Sequence, residues 1–141
     1  LGYRRSLFVS LTSFFEKIGA PLKNPRWSWG GIRKDGTVIL RVWQDRTRKH
    51  EGVNYMQLSH LQKYGEGDDN LGYMERLEHI NLIKNGAKCY MVMCRAKDPK
   101  SSPRKILKHN EDNLFLGGNL IEIESDWYIE LAASIPVQSA T

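Results

Sequence analysis

Residues 26–45 read RWSWGGIRKDGTVILRVWQD. Two strand-like halves, Arg26–Arg33 and Val38–Asp45, flank Lys34-Asp35-Gly36-Thr37. An Asp-Gly pair between such halves is a strong hairpin signal, because a tight two-residue loop needs positive φ at both central positions. With Asp35-Gly36 as that loop, Gly31 opposes Leu40 and Arg33 opposes Val38. Trp27, Trp29, Gly31 and Arg33 then share a face with Val38, Leu40, Val42 and Gln44, and this face reads as core. The other face carries Arg26, Ser28, Gly30 and Ile32 beside Ile39, Arg41, Trp43 and Asp45, with Arg26 paired to Asp45 and Ser28 to Trp43. A slip of one residue would exchange the two faces.

On the N-terminal side, Leu7, Phe8, Leu11, Phe14, Phe15 and Ile18 recur at helical spacing and Gly19 stops the run. Residues 1–6 (LGYRRS) read as a remnant and carry no functional argument. Pro21 and Pro25 set an extended connector. On the C-terminal side, residues 46–52 (RTRKHEG) form a basic loop and Val53–Ser59 a strand. After a Gly- and Asp-rich loop, Asp69 or Asn70 caps a helix from about Leu71 to Asn85, ended by Gly86. Its apolar stripe is Tyr73, Met74, Leu77, Ile80 and Ile83. Residues 88–95 (KCYMVMCR) are apolar on both strand faces, as a central strand requires. A basic loop over Ala96–Lys105, a short strand from Ile106 and a last hairpin, Leu114–Glu124 with Trp127–Leu131, complete the chain. That hairpin is expected to turn at Ser125-Asp126, and the tail from Pro136 to fray. Strands clustered in this way predict one α+β domain over 1–141: a small, mostly antiparallel β-barrel or strongly curved sheet flanked by two helices.

Composition narrows the function classes. The chain has 141 residues, 40% of them hydrophobic, which excludes a disordered or collagen-like protein. No apolar run approaches the roughly 18 residues of a membrane span, so a cytoplasmic protein without a membrane partner is expected. Two cysteines, Cys89 and Cys94, are too few for a disulfide scaffold or a paired-Cys zinc site. Five apart on one strand, they point to opposite faces as small buried hydrophobes. The charge is uneven. Residues 1–109 hold all 21 basic residues against 10 acidic ones, +11, whereas residues 110–141 hold six acids and no Lys or Arg, −6. A localised basic excess is the footprint of a polyanion binder.

Catalytic signatures are missing. The sequence has no G-x-S-x-G elbow, phosphate-binding loop or dinucleotide fingerprint. His50, His60, His79 and His109 are scattered without metal-ligand spacing, and His79 is expected on the polar side of its helix. No cofactor is expected. A metal-dependent nuclease would have to combine Asp45 with Glu122, Glu124 and Glu130 of the last hairpin, but no basic residue follows those carboxylates.

Aromatic residues interleaved with basic ones are more informative. Trp27, Trp29 and Trp43 lie among Arg26, Arg33, Lys34, Arg41, Arg46, Arg48 and Lys49. Lys and Arg neutralise phosphates, and an exposed indole is a stacking plate for a base. With Trp29 assigned to the core, the candidate base-binding residues are Trp43, Trp27, Ser28, Arg41 and Asp45, the polar ones reading a base edge. Phosphate binding falls to Arg46, Arg48 and Lys49 in one loop and Lys97, Lys100, Arg104 and Lys105 in the other. Ser102-Pro103-Arg104-Lys105 resembles short Ser-Pro-basic-basic elements of minor-groove contacts.

The segments Asn24-Pro25-Arg26-Trp27-Ser28-Trp29-Gly30, Asp35-Gly36 and Leu40-Arg41-Val42-Trp43-Gln44-Asp45 are similar to small bacterial proteins associated with mobile elements and restriction-type defence. The layout of residues 24–131 also resembles the PUA-like group, including EVE and SRA-type readers of modified bases. That resemblance implies a compact β-barrel with an aromatic-lined pocket, nucleic acid as partner with modified DNA favoured, and a nuclease supplied by another domain or protein. The expected function is a non-enzymatic nucleic-acid-binding module. A metal-dependent nuclease and a protein-interaction subunit are the alternatives.

Overall fold

The first hairpin forms one residue out of the expected register. β1 (Gly30–Ile32) and β2 (Val38–Trp43) pair antiparallel with Gly30 opposite Leu40 and Ile32 opposite Val38. Gly36 lies at φ +91° whereas Asp35 stays at negative φ, so the mirror-image two-residue turn is not made. Instead the Gly36 N–H donates to the Arg33 carbonyl at 2.9 Å and the Arg33 N–H to the Thr37 carbonyl at 2.8 Å. The Asp35 carboxylate accepts the Thr37 N–H, which satisfies the tip locally. The faces therefore exchange: Trp29 joins Arg41, and Ser28 joins the side of Leu40 and Val42.

The computed structural model describes residues 10–64, 70–101 and 104–140. The other elements are α1 (Leu11–Lys17), β3 (Thr47–His50), β4 (Val53–Gln57), the single turn α2 (Leu61–Tyr64), α3 (Leu71–Lys84), β5 (Cys89–Ala96), β6 (Ile106–His109), β7 (Asn113–Ile123) and β8 (Asp126–Pro136). Leu7 and Phe8 of the predicted first helix lie outside the described residues, as do Ser102 and Pro103. The eight strands make one sheet in the order β1-β2-β5-β7-β8-β4-β3, with β6 also on β5. All ladders are antiparallel except β2–β5, which is parallel. The α+β class and mostly antiparallel sheet are as expected. No ladder among the described residues joins β1 to β3, so the sheet is not a closed barrel, and three helices rather than two accompany it.

Both faces of β2 and β5 are buried. On one side Phe14, Phe15 and Ile18 pack against Ile39, Tyr90, Val92 and Cys94. On the other, Val38, Leu40 and Val42 meet Cys89, Met91, Met56, Leu58, Ile129 and Ile80. Cys89 and Cys94 thus occupy opposite cores, and burial pushes both thiols up to about 12. Sheet curvature is visible in the second core, because β2 and β4 contribute to it although three strands separate them.

Three local expectations are corrected. Residues 47–50 are strand β3 rather than loop, joined to β4 by Glu51-Gly52, both at positive φ, in a tight two-residue turn. The last hairpin turns at Glu124-Ser125, again both at positive φ, one residue earlier than expected. The tail is structured as far as Ala140, the last described residue: β8 runs to Pro136, Val137–Ser139 form a 3-10 turn, and Ala140 is buried in the first core.

Helix α3 departs furthest from its expected packing. Asn70 caps it, its side chain accepting the Tyr73 N–H at 3.0 Å. Tyr73 and Ile80 face inward as predicted, but Met74 and Leu77 are exposed, together with Leu71 and Leu82. Glu75, Arg76 and His79 are buried instead, so His79 is not on a solvated face.

Candidate nucleic-acid interface

The buried charges of α3 continue the β1–β2 ladder just before β1 begins. The Arg41 N–H donates to the Trp29 carbonyl at 2.8 Å, but the Trp29 N–H goes to Glu75 Oε1 at 2.9 Å. Arg76 Nη2 donates to the Trp29 and Arg41 carbonyls, and Nη1 to the Leu58 carbonyl at 3.2 Å. One guanidinium thus ties together the chain before β1, strand β2 and the end of β4. Burial, with the charge of Arg41 close by, pulls Arg76 down to about 10, and it stays protonated at neutral pH.

Around that knot lies a cleft lined by Trp29, Arg41, Trp43, Arg46, His60 and Tyr64. Trp29 stands edge-on to Tyr73 and tilted against Tyr64, with ring centroids 6.3 and 5.1 Å away. Gly72 admits the indole against the α3 backbone, where an added Cβ would collide with the Trp29 ring. The Arg41 guanidinium lies over both Trp29 and Trp43, at 5.8 and 5.5 Å from the ring centroids. Arg104 also lies over Trp43, at 5.3 Å. Trp43 therefore carries two guanidinium groups, each at cation–π distance.

Arg104 reaches this position by gripping Asp45 with both terminal nitrogens, at 2.6 and 2.7 Å. The pair draws the loop after β5 onto the 3-10 turn Gln44–Arg46, so residues from the two predicted basic loops meet at Trp43. Lys63 of α2 belongs to the same field. Burial lowers its pKa first, and the charges of Arg46 and Arg104 lower it further. Hydrogen bonds from Arg104 are the main reason the Asp45 carboxyl is held below its ordinary value. Arg41, Arg46, Lys63, Arg76 and Arg104 thus surround the indoles, with Asp45 bonded to Arg104 and the buried Glu75 carboxylate close to Arg41 and Arg76.

Of the predicted base-binding residues, Trp43, Arg41 and Asp45 come together. Ser28 does not join them: it is buried, its hydroxyl donates to Glu75 Oε2 at 2.9 Å, and it accepts the Asn24 N–H. Trp27 lines a separate groove with Ile32, Leu71 and Met74. Asp45 pairs with Arg104 rather than with Arg26. Among the phosphate candidates, Arg46 and Arg104 are at the cleft. Arg48 lies over Tyr128 at 5.7 Å, and Lys49, Lys97, Lys100 and Lys105 are exposed. Trp29, Tyr64, Lys63 and Arg76 are additions that strand alternation and charge runs did not reveal. Among the described residues, no three His, Cys, Asp or Glu side chains converge as a metal site, so Asp45 and the carboxylates of the last hairpin do not form one.

No family model, curated protein or solved structure matches the chain. No helix among the described residues is long and apolar enough to cross a membrane.

Proposed function

We propose that the protein is a nucleic-acid-binding module whose site is the Trp43 cleft. The single observation that carries this function is the indole of Trp43 beneath two guanidinium groups, at the meeting point of two basic segments. Trp43 offers a stacking surface for a base, with Trp29 and Tyr64 beside it. Arg46, Lys63 and Arg104 supply the phosphate contacts, and the exposed Lys49, Lys97, Lys100 and Lys105 extend the positive field outward. The resemblance to PUA-like readers would make the favoured ligand DNA with a modified or extruded base, and would leave cleavage to a partner nuclease.

Fluorescence anisotropy of labelled single- and double-stranded oligonucleotides, titrated across salt concentrations, tests this function. Three to four neutralised phosphates predict that log affinity falls against log salt with a slope of about −3 on duplexes and about −2 to −3 on single strands. Absence of binding to every DNA and RNA probe, or binding indifferent to salt, would overturn it.

A further inference from the structure

The interior of the cleft holds only about 40 Å³, room for a few water molecules and far less than a nucleobase. A base can therefore gain the Trp43 face only where a group now covering it gives way. The two covering guanidiniums are not equally held. Arg41 projects from the centre of β2, between the ladders to β1 and β5. Arg104 stands outside any strand, and both of its terminal nitrogens bond to Asp45, whose side chain is 39% exposed. The Arg104 side chain is only 7% exposed, and its Nε hydrogen is buried without an acceptor. The carboxylate uses both oxygens on the terminal nitrogens and leaves this third donor unused.

A phosphate group offers the same fork-to-fork geometry to a guanidinium as a carboxylate does. We propose that Asp45 stands in for a nucleotide phosphate on Arg104, and that an unpaired nucleotide binds by exchanging its phosphate for this carboxylate while its base takes the uncovered face of Trp43. The inference rests on the nucleic-acid function proposed above and specifies the ligand as a single-stranded or extruded nucleotide. A paired, stacked base cannot present its ring face to the indole. Asp45 is then a competitor held within the site, lowering affinity and excluding weaker anions.

The test is anisotropy with a labelled single-stranded oligonucleotide and the matching duplex, using wild-type protein, Asp45→Asn, Arg104→Ala and the double variant. Glu51→Gln, which removes an exposed acid on the β3–β4 turn, controls for net charge. Asp45→Asn is expected to bind the single strand about two- to fivefold more tightly than wild type, the range of an exposed ion pair. Glu51→Gln should change affinity less, the duplex should gain less than the single strand, and Asp45→Asn should have no effect once Arg104 is alanine. Wild-type binding that Asp45→Asn leaves unchanged or weakens would overturn the exchange while sparing the binding function. Equal tightening in the Arg104→Ala background would also overturn it. Failure of wild type and Asp45→Asn alike to bind any probe would remove both.

Discussion

Arg104 and Asp45, 59 residues apart in sequence, meet through two parallel hydrogen bonds of 2.6 and 2.7 Å. The contact turns two separate basic segments into one site, with the indole of Trp43 beneath the guanidinium. It also explains why a carboxylate sits in so positive a neighbourhood.

Stacking on Trp43 predicts a graded response to substitution. Trp43→Leu keeps apolar volume and removes the stacking plate, so oligonucleotide affinity should fall about tenfold, in line with the loss of one base–aromatic stack. Trp43→Phe should retain most of the affinity. Thermal melts run alongside separate lost binding from lost folding. Equal affinities for wild type and Trp43→Leu would show that the indole is not a platform.

Ser28 separates a structural role from base reading. Its hydroxyl bridges the Asn24 N–H and the Glu75 carboxylate in a buried setting. Ser28→Ala should cost about 1–2 kcal/mol in urea unfolding and leave oligonucleotide affinity unchanged. Lost affinity with intact stability would return Ser28 to the site.

Arg76 should be among the most costly residues to replace. Arg76→Met removes donors to three backbone carbonyls and leaves Glu75 buried beside them. A loss of about 3 kcal/mol or more is expected from equilibrium unfolding. A variant as stable as wild type would show that the seam between β2 and β4 is held by apolar packing alone.

His79 gives the stability a defined pH dependence. Burial first, then the nearby Arg76 charge, lowers its pKa from the ordinary 6.5 to about 4, with Glu78 opposing. The folded state favours the neutral ring, so its contribution is complete above pH 6.5 and is lost as pH falls toward 4. Within that window the slope approaches one proton, about 1.4 kcal/mol per pH unit. His109, lowered mainly by burial, adds in the same direction. Urea midpoints between pH 7 and 4.5 should fall more steeply for wild type than for His79→Gln. Parallel curves would mean that His79 titrates normally.

The hairpin, the central strand at Cys89–Ala96, the Asn70-capped helix and the last hairpin were legible because alternation, capping and turn residues act locally. The hairpin register was not. Asp-Gly fits both a two-residue turn and a three-residue one, and whether Asp35 takes positive φ cannot be read from its identity. That one residue moved Trp29 toward Arg41 and carried Ser28 away. The buried face of α3 was hidden for a different reason. Glu75 and Arg76 satisfy backbone groups of Trp29 and Arg41, 35 to 47 positions away, a tertiary demand that overrides apolar periodicity. Trp43, Arg41, Asp45, Arg46 and Arg104 were nameable as aromatic and charged residues, but their convergence depends on a contact, 59 residues long in sequence, between the segments that follow the neighbouring strands β2 and β5.

The four tryptophans, Trp27, Trp29, Trp43 and Trp127, allow the most direct test of the site. Their indole N–H signals, assigned by single Trp→Phe substitutions, can be followed in a two-dimensional ¹⁵N–¹H spectrum as unlabelled single-stranded oligonucleotide is added. The Trp43 signal should shift most and Trp29 next, with Trp27 and Trp127 nearly still. Shifts centred on Trp27 or Trp127, or four unmoved signals at saturating oligonucleotide, would contradict binding at the Trp43 cleft.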